Sequence, residues 1–223
     1  MTSLITHKPQ KVLKQELKAF FNRNYPAETL PSHGFDHHRR VWGHAKELLR
    51  FKERDGLCFD QAFIQKLMIG CYLHDIGMSI DPGIRHGRHS RELCKKFLEE
   101  QDLKESDYRD ILTAIENHDD KEYADATGND MLSTLLTIAD DLDAFGETGI
   151  SRYLEIYKER GIEKHELSKA ILRNAEKRFR NFERAFSQWT DLVDKHRDRY
   201  NIVVDFFTTF DHPTKKMNIN NDI

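Results

Sequence analysis

Apolar residues recur at three- and four-residue intervals along most of this 223-residue chain, the pattern of amphipathic helices. Val12, Leu13, Leu17, Phe20 and Phe21 predict a first helix over residues 10–25, stopped by Pro26. A polar turn at Pro31 and Ser32 leads into a second helix over 33–54, where His37, Val41, His44 and Leu48 share one face. In a third, over 59–76, Ile64, Leu67, Cys71 and His74 form one stripe, and Gly77 lets the backbone turn away. The Pro-Gly pair in 79–85 marks a loop before helices over 86–100 and 106–118. Residues 120–129 are polar and contain glycine, so a loop is expected there. The next helix, over 130–145, turns Leu132, Leu135, Leu136, Ala139 and Leu142 inward, with Asp140 on the edge of the stripe. Helices over 150–160 and, as one long strap, over 163–200 follow. Residues 202–210 suit a strand or a last helix equally, and the tail from Pro213 is polar. No segment reads unambiguously as a strand. The expected fold is all-α and single-domain: an N-terminal helix (1–30) on a core (31–160), completed by C-terminal helices (161–223).

Composition agrees. Charged residues make up 33% of the chain and hydrophobic ones 38%, and the net charge of −3 comes without a basic block. No nucleic-acid polymer or membrane surface is therefore expected as a partner. No apolar run approaches the ~18 residues of a membrane span, and the first nine residues lack the apolar centre of a signal peptide. The expected location is cytoplasmic. Cys58, Cys71 and Cys94 are an odd, scattered set that reads as reduced, small core residues. Histidine is the unusual component, because eight of the twelve fall between His33 and His118.

The chemistry centres on His74-Asp75. Burying an imidazole beside a carboxylate costs several kcal/mol unless both find partners, and a divalent metal satisfies both at once. The alternative is a capping histidine with a solvated aspartate. Other metal-capable side chains sit on separate helices: His37 before the pair, Asp140 after it, and His86 or His89 and His118 between. A second pair, His118-Asp119, is a weaker centre, since Asp119 leads into a polar loop and is expected to be solvated. His38 points away from the face of His37, and His44 lies too far along its helix, so neither is assigned.

This order of residues resembles the HD-domain metal-dependent phosphohydrolase superfamily, in particular its small bacterial hydrolases. The family's His, His-Asp pair and later Asp correspond to His37, His74-Asp75 and Asp140. The flanks Asp36-His37-His38-Arg39-Arg40-Val41 and Ala139-Asp140-Asp141-Leu142-Asp143-Ala144-Phe145-Gly146 match as well, as does the segment from Glu147 to Arg152. The resemblance covers about residues 30–155 and implies a single HD-domain-like helical bundle around a buried metal site. It implies one or two divalent ions (Mn, Fe, Mg, Co or Zn), held by His37, His74, Asp75 and Asp140. Where two are bound, His86 and His118 join the set and Asp75 bridges; with one, those histidines are polar neighbours. His74 and Asp75 are the expected catalytic pair. Arg85 and Arg88, flanking His86, are the preferred phosphate-binding residues, and Asp143, one turn after Asp140, is a candidate to orient a ligand or water.

The implied reaction is attack by a metal-activated water on a phosphoester or phosphoanhydride of a small phosphorylated substrate, a nucleotide first. Two alternatives stand beside it: a mixed-valent di-iron oxygenase built on the same six residues, and a non-catalytic, metal-stabilised nucleotide-binding module. One departure matters. Many HD hydrolases carry a lysine directly after Ile-Gly, where this chain has Met78, so another cation or another substrate is required. Oligomeric state is not legible.

Overall fold

The computed structural model describes residues 8–26, 29–83, 85–119 and 130–210. Among them are nine α-helices and no strand: α1 (Gln10–Asn24), α2 (Phe35–Arg54), α3 (Gln61–Leu73), α4 (His86–Glu100), α5 (Arg109–Asn117), α6 (Met131–Asp143), α7 (Gly146–Glu159), α8 (Lys164–Phe186) and α9 (Thr190–Phe210). The loop expected over 120–129 and the tail from Pro213 lie outside the described residues. No helix of the described residues is long and apolar enough to cross a membrane.

The centre of the molecule is α3. Asp60 caps its N-terminus by accepting from the Phe63 N–H, and from Leu67 to Leu73 every residue is buried. Such a helix is enclosed rather than amphipathic, and α1, α2, α4, α5 and α6 all pack against it. The single stripe expected for this segment therefore understates its burial. Three short 3-10 turns, Pro31–His33, Ile76–Ser79 and Glu105–Tyr108, trim the starts or ends expected for α2, α3 and α5. Cys71 and Cys94 lie in the core, but Cys58 is exposed.

The long strap is two helices. α8 ends at Phe186, the Trp189 N–H bonds to the Phe186 carbonyl at 3.0 Å, and α9 runs back along α8. Neither proline nor glycine marks the break, so a charged, periodic stretch reads as continuous. The segment 202–210 continues α9, burying Val203 and Phe207 one turn apart while Ile202 and Phe206 remain exposed. α7, α8 and α9 share a small apolar cluster of their own, including Tyr153, Ile171, Ala175 and Phe207.

Two glycines test the packing. A Cβ on Gly87 would lie 2.3 Å from the Glu116 carbonyl oxygen, so α4 and α5 touch backbone to backbone there; a Cβ on Gly43 meets nothing within 4 Å. Gly87→Ala should lower stability by about 1–3 kcal/mol, or roughly 2–12 °C in Tm for a chain of this size. Gly43→Ala, on the exposed face of α2, should raise stability by up to ~1 kcal/mol. Thermal unfolding followed by circular dichroism reads both, and shifts in the same direction would contradict this packing.

Candidate metal centre

Helix ends do the positioning. α3 stops at Leu73, which makes His74 its C-cap and leaves Asp75 to start the turn Ile76–Ser79. Gly77 brings that turn hard against the start of α4: an added Cβ would sit 2.3 Å from the His86 carbonyl oxygen, and its N–H donates to Ser90 Oγ at 2.8 Å. The contact fixes His86 beside Asp75. α5 ends at Asn117 with His118 as its C-cap, α2 presents His37 in its first turn, and α6 presents Asp140. All six residues are buried.

They form two groups that share Asp75. In the first, His37 Nε2 lies 3.3 Å from His74 Nε2, 3.5 Å from Asp75 Oδ2 and 3.6 Å from Asp140 Oδ1. In the second, Asp75 Oδ1 lies 3.0 Å from His118 Nε2 and 3.4 Å from His86 Nε2, and those two nitrogens are 3.4 Å apart. Ligands held about 2.1 Å from one ion are separated by roughly 3.0–3.4 Å along the edges of an octahedron or tetrahedron. The observed spacings fall at or just beyond that range.

Proton placement makes the point more sharply. The Nδ1 atoms of His74, His86 and His118 each face the carbonyl three residues back, Cys71 O at 3.2 Å, Gly83 O at 2.6 Å and Ile115 O at 2.7 Å. His37 Nδ1 faces Asp143 Oδ2 at 2.8 Å. Carbonyl and carboxylate oxygens only accept, so every Nδ1 carries the proton and every neutral Nε2 presents a lone pair to the centre. Two lone pairs aimed at each other across 3.3 Å repel unless a proton or a metal ion stands between them. The residues present therefore fit divalent ions, with the outer nitrogen of each histidine tied as in known metal sites. Without an ion, protons and arginines balance the local field. Burial opposes charge on Asp75, yet His74 and His118 hold its carboxyl well below the usual carboxylate range. Burial likewise opposes charge on Asp140, where Arg178, His74 and Arg152 prevail. Burial lowers His74, whereas for His118 burial is outweighed by Asp75, which pushes it up to about 9; the proton on its Nε2, 3.0 Å from Asp75 Oδ1, then stands where an ion would.

A model of the HD domain matches residues 34–147. The chain belongs to the HD-domain family. Among solved structures, a predicted HD superfamily hydrolase from an uncultured Thermotogales bacterium is 23% identical, with a TM-score of 0.51 over 88% of this chain and 90% of that one. A protein from Lactobacillus plantarum is 17% identical, with a TM-score of 0.61 over 91% and 97%. Both likenesses are of fold. No curated protein matches the chain.

Within this HD domain the structure brings together His37, His74, Asp75, His86, His118 and Asp140, and leaves His89 half-buried outside both groups. His38 is a core histidine bonded to the Cys71 carbonyl, and Asp143 stands behind His37, itself held by Arg40 at 2.8 Å and Arg152 at 3.1 Å. Arg85 and Arg88 are not brought to the centre. Both are exposed, and Arg85 pairs with Asp81 at 3.2 Å. Flanking a buried residue in sequence puts a side chain about 100° or 200° around the helix from it, hence outward. The cations lining the cavity over Asp75 and Asp140 are instead Arg152, Arg160 and Arg178. Arg178 comes from the helix read as a strap and bonds Asp140 at 3.1 Å and Asp141 at 2.6 Å. Asp119 is exposed, as expected, and at the same time borders this cavity, 3.5 Å from Arg178. Arg152 was visible at the end of the matching Glu147–Arg152 segment. Nothing local distinguishes Arg178 from its charged neighbours.

A third cluster, His44, Glu47 and His196, has a different protonation logic. Arg199 donates to His196 Nδ1 at 3.0 Å, so the proton of the neutral ring sits on Nε2, which donates to Glu47 Oε2 at 3.2 Å. Glu47 and His196 are thus joined by a hydrogen bond rather than by converging lone pairs, and His44 lies edge-on to His196 with its Nε2 towards Asp143 at 3.8 Å. The hydrogen bond from His196, with help from Lys195 and against burial, holds the Glu47 carboxyl down to about 2. A depressed carboxylate stabilises the fold fully above its ordinary pKa of 4.5, and that contribution is lost as pH falls towards 2. Glu47→Gln should therefore be less stable than wild type at pH 7, and urea unfolding should show the difference fading by about pH 2.

Proposed function

We infer that this HD-domain protein is a metal-dependent phosphohydrolase acting on a small phosphorylated compound, with nucleotides the first class to try. The reading rests on one juxtaposition: histidine Nε2 atoms converging around Asp75, beside a cavity lined by three arginines. His37, His74, Asp75 and Asp140 would hold one ion, Asp75, His86 and His118 a second, with Asp75 between them. Bound there, such ions lower the pKa of a coordinated water towards neutrality and neutralise phosphate oxygens. The chain's own residues do the rest. Asp143 fixes the ring of His37, and helix-end carbonyls fix the other three. Arg152 is 6% exposed and its Nε has no hydrogen-bond partner, a buried donor suited to a phosphate oxygen. With Met78 where relatives carry lysine, Arg152 and Arg178 are the substitute cations. The six-residue set also suits a coupled di-iron oxygenase, but the arginine-lined cavity favours phosphate.

Protein purified without chelator should contain close to two metal equivalents and release phosphate or pyrophosphate from members of a nucleotide and phosphoester panel supplemented with manganese. Asp75→Asn and His74→Ala should each lower turnover by ~100-fold or more, the scale on which even supporting groups of metal sites act. Arg152→Gln should raise KM. Equal release by wild type and His74→Ala, or none by wild type, sinks the reading; an electron-paramagnetic signal of coupled iron with oxygen-dependent turnover supports the oxygenase instead.

A further inference from the structure

Among the residues lining the cavity, His33 is a histidine that belongs to neither donor group. His33 precedes the segment matched by the HD-domain model, is 4% exposed, and lies edge-on to His37 with ring centroids 5.5 Å apart. Its protonation follows from its neighbours. The Glu155 carboxylate, from α7, accepts from the Ser32 N–H at 2.9 Å and from the Ser32 hydroxyl in a close contact. Ser32 Oγ has thus committed its only proton, and at 2.9 Å from His33 Nδ1 it accepts. The proton of His33 is on Nδ1, and Nε2 is an acceptor.

An acceptor cannot recognise phosphoryl oxygens, which are acceptors themselves. His33 belongs to neither donor group, so what meets its Nε2 in the cavity is a hydrogen-bond donor. The turn that holds His33 also borders a groove outside the cavity, lined by Pro31, Met78, Ile80, Glu155, Lys158 and Glu159, and Met78 lines both spaces. Apolar groups and two carboxylates against one lysine disfavour a phosphate chain in that groove. The phosphate belongs with Arg152 and Arg178, and the organic part of the ligand leaves past Met78 and His33.

We propose that the substrate is a phosphate ester of a hydroxyl-bearing compound, a sugar or nucleoside, whose hydroxyl donates to His33 Nε2 while its organic half extends towards the groove. This rests on the phosphohydrolase reading for the position of the phosphate. The test is calorimetric binding of ribose 5-phosphate and of phenyl phosphate, which lacks a hydroxyl, to the full chain in excess manganese, read as Kd, or as KM where the ester is turned over. Loss of one hydrogen bond corresponds to a weakening of about 3- to 10-fold. His33→Phe should weaken ribose 5-phosphate by that factor and leave phenyl phosphate within about twofold. His33→Gln, which retains an acceptor, should recover most of the loss, and Ser32→Ala should show part of it. Arg152→Gln should weaken both esters alike. Equal loss on both esters in His33→Phe, no loss on either, slower turnover at unchanged binding, or failure of ribose 5-phosphate to bind wild type overturns the proposal. Selective binding without any phosphate release supports it while refuting the hydrolase reading.

Discussion

Ring nitrogens turned towards one another around two buried carboxylates are the constraint around which this molecule is built. Arg152 relieves their repulsion in part, its Nη2 lying 3.4 Å from His37 Nε2, and the cavity reaches the group from one side only, over Asp75 and Asp140. Rotating a ring would relieve the repulsion too, but each ring is tied from behind. For three of the four histidines the tie is the same local device, a bond from Nδ1 to the carbonyl three residues earlier. For His74 and His118 it is available because the last carbonyls of α3 and α5 lack intrahelical partners, which suits both to the C-cap position; for His86 the carbonyl is that of Gly83, in the turn before α4, which also accepts from the His86 N–H. His37 lies inside α2's first turn and needs a partner from elsewhere, which Asp143 supplies.

The carboxylates impose a second balance. α6 alone buries Asp140, Asp141 and Asp143 within four residues. Like charges so close are tolerated only with compensation, and Arg40, Arg152 and Arg178 provide it from three different helices. The packing of α2, α7 and α8 around α6 is thus electrostatic as well as apolar.

Helix order, the all-α class and the six converging residues were legible in the chain because helical periodicity and residue type are local properties. His37, His74-Asp75 and Asp140 announce themselves by an imidazole or carboxylate at the edge of an apolar stripe. What was not legible depends on distance. Arg178 is one cation among many in α8 until the fold carries it to Asp140, and His33 looks like a turn residue until Glu155, 123 positions later, is seen to hold Ser32. Arg85 and Arg88 lie outward for the complementary reason, since nearness along a helix implies separation around it. The break at residues 187–189 was invisible because a tight turn made from Ser187 and Gln188 leaves no proline or glycine behind.

The family match ends at residue 147, and the cavity's arginines begin at Arg152. Every member of the donor set lies within the matched segment, while Arg152, Arg160, Arg178 and His33 all lie outside it. The floor and much of the wall thus come from different stretches of the chain. A substitution in α7 or α8 can change the charge that faces a ligand while leaving every member of the donor set in place.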